Sequence, residues 1–196
     1  MKNSFTPLFA TNFLGVANDN FLKTLAGFVV IGWVADAAMK PVYMGLTAGA
    51  LVLPYVFFSP LADRLTVLLP KCRILVLAKW AELPIMGVAI AGFALHSAAL
   101  VVASVLLMGL QSALYSPAKY ALVRDIGGVG RISTGMGGME GISFLGMLVG
   151  TVLASVAADA FSPVMRFAVL FGFAAAGLLV SHMVTAQEEP NRFIHS

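Results

Sequence analysis

Six runs of apolar residues, each about as long as a bilayer is thick when wound into a helix, leave this chain few folds to choose from. They cover roughly 7–35, 42–62, 74–95, 98–123, 134–158 and 164–186. A helix rises ~1.5 Å per residue and the hydrocarbon core is ~30 Å thick, so ~20 apolar residues cross it. Backbone polar groups in hydrocarbon must be satisfied within the segment, which selects helices. The expectation is an all-α, multi-pass membrane protein of six transmembrane helices. Composition agrees, with 60% of residues hydrophobic and 11% charged, against ~45–50% and ~25% in soluble domains.

The charges between the runs set the orientation. Arg64, Lys71 and Arg73 fall in one break, Arg124 and Arg131 in another, and Lys2 and Arg192 at the ends. The alternate breaks hold only Lys40 and Arg166. Positive charge stays on the cytoplasmic side, so both termini are expected there. The polar stretch 187–196 reads as a cytoplasmic tail. The first run reads as a retained span, because Asn and Asp interrupt it and no clear cleavage site follows. The net charge of +3 is assigned to loop Lys and Arg, and no nucleic-acid partner is expected. Cys72 is the only cysteine, so no intrachain disulfide can form.

Within the first run lies Gly15-Val16-Ala17-Asn18-Asp19-Asn20-Phe21-Leu22-Lys23-Thr24. Asp19 is ~18 Å along the helix from Pro7, near the bilayer middle. A charge there costs ~2.5–3.5 kcal/mol on insertion scales. At ~100° per residue, Asn12, Asp19 and Lys23 share one face, with Gly15 beside it and Asn18 pointing elsewhere, into a neighbouring helix. The stripe either lines a cavity or closes on itself as an Asp19–Lys23 pair at i,i+4. The fourth run repeats the pattern: Ser104, Gln111, Tyr115 and Lys119 share a face, and Pro117 bends the helix beside them. Lys119 lies five residues before Arg124 and either joins this face or snorkels to the surface. Lys79, Glu82 and Glu140 sit on the third and fifth runs, with Lys79 and Glu140 at the depth of Lys119. These charges form either a gate or a static network between helices.

The fifth run carries Gly137-x-x-x-Gly141 and Gly146-x-x-x-Gly150, which permit close helix approach or sliding. Trp33 and Trp80 read as interface anchors. No zinc-protease, nucleophile-elbow or Walker motif occurs, so the chain reads as neither an enzyme nor an ATP-driven pump. His96, His182 and His195 are far apart, and no metal or other cofactor is expected.

Two sets of residues resemble known families. Ser59-Pro60-Leu61-Ala62-Asp63-Arg64 resembles the loop motif of the major facilitator superfamily, with Ser59 where that motif begins with Gly and Lys71-Cys72-Arg73 arriving late. More specifically, Phe13-Leu14-Gly15 with Asn18-Asp19-Asn20, then Tyr115-Ser116-Pro117-Ala118-Lys119-Tyr120, then Gly137-Gly138-Met139-Glu140 resemble the bacterial lysophospholipid transporter family. Met136 stands where that pattern has Asn. The resemblance runs over essentially the whole chain.

It implies one half of a major facilitator fold, built of two three-helix inverted repeats. It also implies movement of lysophosphatidylethanolamine-like lipid across the bacterial inner membrane toward the cytoplasmic leaflet, where an acyltransferase re-acylates it. Asp19, Lys23, Gln111, Tyr115 and Lys119 are then the expected substrate-binding residues. Asp63, Arg64, Lys79, Glu82 and Glu140 are the expected gating or charge network. Expected partners are the lysophospholipid, membrane lipids, a C-terminal six-helix half or a second copy, and an acyltransferase. The rival readings are a transporter of another small amphiphile or drug, a non-transporting scaffold, and an inactive truncated half.

Overall fold

The computed structural model describes residues 5–186. The tail at 187–196, and with it Arg192 and His195, lies outside the described residues, as does Lys2. The described chain is six helices: α1 (Thr6–Trp33), α2 (Lys40–Leu68), α3 (Lys71–Ala94), α4 (Ala98–Gly127), α5 (Ile132–Ala160) and α6 (Pro163–Ser181). A short 3-10 turn, Val129–Arg131, leads into α5. All six are long and apolar enough to cross a membrane.

Local chemistry sets the ends. Proline occupies the first turn of α1, α2 and α6, where its missing N–H costs nothing. Ser97 caps α4 by accepting from the Leu100 amide at 3.4 Å, and Ser162 caps α6 from the Met165 amide at 3.3 Å. Gly128, at φ 60°, turns the chain out of α4.

The largest departure from the sequence reading is at the end of α2. The helix continues through Asp63 and Arg64 to Leu68, so these residues lie on a helix and not in a loop. The apolar stretch Leu65–Leu69 carries the helix on. It stops where Pro70 forces Leu69 into extended backbone at ψ 150°. Similarly, α4 holds Arg124 in its last turn and ends at Gly127, while α6 stops at Ser181, short of 186.

α1 and α4 are the two best-buried helices of the bundle. α1 packs along α5 and α6 and touches α2 and α4, while α4 packs along α2 and α3, and α3 meets α6. Exchanging α1 with α4, α2 with α5 and α3 with α6 maps these principal contacts onto themselves. The two longest contacts, α1 with α5 and α2 with α4, are glycine seams. A Cβ on Gly146 would lie 2.9 Å from the Phe13 carbonyl oxygen, and one on Gly150 would strike the Ala17 carbonyl. A Cβ on Gly109 would come within 2.5 Å of the Leu51 carbonyl of α2. Gly137 and Gly141 instead face open space. They stand nine residues before Gly146 and Gly150, ~180° around the helix, so α5 has one glycine pair in the seam and one on its opposite side.

Two apolar clusters fill the interior at different levels. One contains Phe21, Leu25, Val30, Met86, Phe93, Val101, Met108 and Leu170. The other, at the end carrying the basic residues, contains Leu8, Leu75, Leu122, Ile126 and Met139. Between them α1, α3 and α4 contribute a layer of buried polar side chains.

Candidate functional site

That layer holds most of the buried polar groups. Asn12, Asn18, Asn20, Lys79, Glu82, Gln111, Ser112 and Lys119 are all buried. On α1, Asn12 and Asp19 are seven residues apart, two turns, and so stack on one face. Asn18 is one step, ~100°, round from Asp19 and turns toward α3.

Three linked groups make up the layer. In the first, Asp19 Oδ2 accepts from the Ser112 hydroxyl of α4 at 2.7 Å. Gln111 Oε1 lies 3.0 Å from the same hydroxyl, and Gln111 Nε2 donates to the Ala78 carbonyl of α3 at 3.0 Å. In the second, Asn12 Oδ1 accepts from Lys119 Nζ at 3.1 Å and from the Tyr115 hydroxyl at 3.3 Å. Asn12 Nδ2 donates to Ser143 Oγ of α5 at 2.7 Å. In the third, Lys79 and Glu82 form a 2.6 Å ion pair at i,i+3, with side chains 1% and 0% exposed. Asn18 Nδ2 donates to the other Glu82 oxygen at 2.6 Å.

Tyrosines join these groups. The Lys79 and Lys119 ammoniums lie 5.9 and 5.7 Å from the centre of the Tyr115 ring, so one ring serves two cations. Lys119 also lies 4.9 Å from the Tyr120 ring centre, and Tyr120 donates to Glu140 at 2.6 Å. Gly15 makes room for Lys79: a Cβ there would come 2.5 Å from its Nζ.

The charge balance of the layer is uneven. Lys79 and Glu82 neutralise each other. Among the described residues Lys119 has no carboxylate within ion-pair distance. Its hydrogen-bond partner is a neutral amide. Asp19 Oδ1 and Asn18 Oδ1 are buried with no donor among the described residues. The layer thus offers an unpaired cation and unfilled acceptors, which together suit a ligand bearing both charges.

The expected substrate-binding residues separate into two locations. Asp19, Gln111, Tyr115 and Lys119 meet in the layer. Lys23 stands a turn away, donating to Asn20 Oδ1 at 2.9 Å. The Asp19–Lys23 pair weighed from the sequence does not form. The expected charge network also divides. Lys79 and Glu82 are locked inside, Glu140 reaches Lys119 only through Tyr120, and Asp63 and Arg64 are exposed near the end of α2. Neither takes part in an ion pair among the described residues. At the basic end, Lys71 pairs with Asp125 at 2.7 Å and ties the start of α3 to the end of α4.

Sequence reasoning missed Ser112 altogether. It placed Asn12 on the stripe and sent Asn18 toward another helix, without assigning either to the site. Of these, Ser112 had the least signal, since a serine in a membrane helix ordinarily bonds its own backbone. Trp33 ends α1, whereas Trp80 lies nine residues into α3 and is 54% exposed. Among the described residues no three His, Cys, Asp or Glu side chains converge as a metal would require.

Between α3, α4 and the end of α2 lies an apolar groove of about 360 Å³, with Gln111 and Tyr115 among its lining residues. In comparisons with protein-family models, curated proteins and solved structures, the chain matches none.

Proposed function

We propose that this chain is a six-helix half of a major facilitator-type secondary transporter that moves lysophospholipid across a bacterial inner membrane toward the cytoplasmic leaflet. The observation that carries the reading is the uneven polar layer, with Lys119 lacking an acid partner and Asp19 keeping a bare oxygen. A phosphate–ammonium headgroup supplies what each lacks. Lys119 meets the phosphate, Asp19 the ammonium, and Tyr115 and Gln111 position the two. The neighbouring apolar groove suits a single acyl chain beside Gln111 and Tyr115.

The exchange pattern of the helix contacts supports the half-fold, because two three-helix repeats related by a pseudo-two-fold axis produce such an exchange. Large apolar side chains exposed on α2, such as Val56 and Phe57, and on α5, such as Phe144 and Leu148, suit a second six-helix unit or a second copy. With the basic ends of α2–α5 toward the cytoplasm, the product emerges where an acyltransferase works.

Uptake of labelled lysophosphatidylethanolamine into transporter-deficient spheroplasts tests the reading, with a two-half lysophospholipid transporter as control. Uptake by the wild-type chain, at least tenfold lower in Asp19→Asn and in Lys119→Ala at equal expression, is the expected result. Normal uptake in both variants would remove these residues from the site. No uptake by a well-expressed chain beside a working control would mean that the chain alone is not the transporting unit.

A further inference from the structure

At the end of the bundle away from the basic residues, α1, α5 and α6 part around a second cavity of about 440 Å³. Trp33 and Phe28 of α1, Ser155 and Asp159 of α5, and Arg166 of α6 line it. Trp33 lies fourteen residues beyond Asp19, ~21 Å along α1, so this cavity is separate from the polar layer.

Its two charges are held apart. Arg166 is fixed by donating from Nε to the Ala157 carbonyl at 2.8 Å and from Nη2 to the Ala158 carbonyl at 2.7 Å. Both are last-turn carbonyls of α5, and the Ala157 carbonyl also accepts from the Phe161 amide at 3.3 Å. The guanidinium keeps further N–H donors for a ligand. Asp159 lines the same cavity, and its side chain forms neither an ion pair nor a hydrogen bond among the described residues. Arg166 and Asp159 form no ion pair with each other among the described residues, which leaves the carboxylate and part of the guanidinium to a ligand. Trp33 gives the cavity an aromatic wall suited to an ammonium group. The ring is held by Phe93 at 6.3 Å and His96 at 5.1 Å.

We infer that the cavity bounded by Trp33, Asp159 and Arg166 is a loading site for a lipid-borne phosphate–ammonium headgroup, reached before the polar layer. Arg166 takes the phosphate, and Asp159 with Trp33 takes the ammonium. The inferred way inward follows α1. Phe28 lines both this cavity and a smaller one of about 190 Å³ that contains Lys23, one turn from Asp19. The inference rests on the transporter reading for its substrate class. It also gives Lys23, left out of the polar layer, a place between the two sites.

Trp33 can report its own occupancy. In a Trp80→Phe background it is the only tryptophan, and its emission is followed in the purified full chain in nanodiscs. Glycerophosphoethanolamine, glycerol 3-phosphate and ethanolamine are titrated separately, and lysophosphatidylethanolamine is then added to the nanodisc lipid. The expected result is a saturable change with the zwitterion, at least tenfold tighter than with either half. It should weaken at least tenfold in Arg166→Gln and in Asp159→Asn, and not in Asp36→Asn, which alters an acid in the loop after α1.

Asp159→Asn changes an exposed carboxylate without partners, so its result stands even if Arg166→Gln loosens α5. No saturable change, or a response to either half as tight as that to the zwitterion, overturns the site. Equal saturation by the free headgroup and the lipid overturns the lipid as its ligand in favour of a soluble zwitterion. An intact Trp33 response without uptake in spheroplasts would count against transport and leave the site standing. Uptake unaffected by loss of the response would overturn its role as a loading site.

Discussion

Lys79 and Glu82 face each other with no water between them, and Asn18 holds the second carboxylate oxygen. Breaking such a pair from one side strands a charge and costs about 3–5 kcal/mol, while replacing both partners with apolar groups costs far less. Glu82→Leu should therefore lower the thermal midpoint in detergent sharply, and Lys79→Met combined with Glu82→Leu should recover most of the loss. A double variant as unstable as the single one would show that the carboxylate serves Asn18 more than Lys79. These residues also mark how far the sequence could be read. The helical period put Asp19, Gln111, Tyr115 and Lys119 on inward faces. It could not show that Asn18 meets Glu82 64 positions away, or that Lys119 meets Asn12 107 positions away. Those pairings depend on how helices rotate against one another, which no local pattern encodes.

At the scale of the helix, the two glycine pairs of α5 behave as opposites. Gly150→Val drives a side chain into the α1 backbone and should cost about 1–3 kcal/mol or more, the range for overpacking. A Cβ at Gly141 meets nothing among the described residues, so Gly141→Val should leave the thermal midpoint nearly unchanged. Fluorescence-detected size exclusion after heating compares the two, and equal losses would mean that α5 is rotated from the orientation described. The glycine spacing was visible in the sequence, but which pair lay in the seam was not, because both pairs satisfy the same rule. The end of α2 was misread for a related reason. Asp63 and Arg64 looked like a loop by charge, yet a helix tolerates charge where it leaves the hydrocarbon, and Pro70 is the actual stop.

For the molecule as a whole, the basic ends and the loop after α1 should lie on opposite sides of the membrane. In a Cys72→Ser background, Arg64→Cys should react with an impermeant maleimide only in inverted vesicles, and Asp36→Cys only in intact spheroplasts. Both positions are exposed, so the side of addition should decide the labelling. Reaction of both from the same side would break the six-span topology. Six helices long and apolar enough to span were legible from hydropathy alone, whereas the exchange of α1–α3 with α4–α6, expected only through the family resemblance, lies in packing that hydropathy does not show.

The seams at Gly109, Gly146 and Gly150 place helix against helix through main-chain atoms, close enough for Cα–H groups to approach carbonyl oxygens. Main chain is common to every residue, so the frame is indifferent to most of what the side chains do. Asp19 lies ~200° around α1 from Ala17, whose carbonyl abuts Gly150, so its surroundings can be rewritten without touching that joint. A bundle made this way can change its cargo by point substitution and keep its architecture. Its tolerance to random mutation should be steeply divided, with latitude around Asp19 and almost none at the three glycines or at the buried Lys79–Glu82 pair.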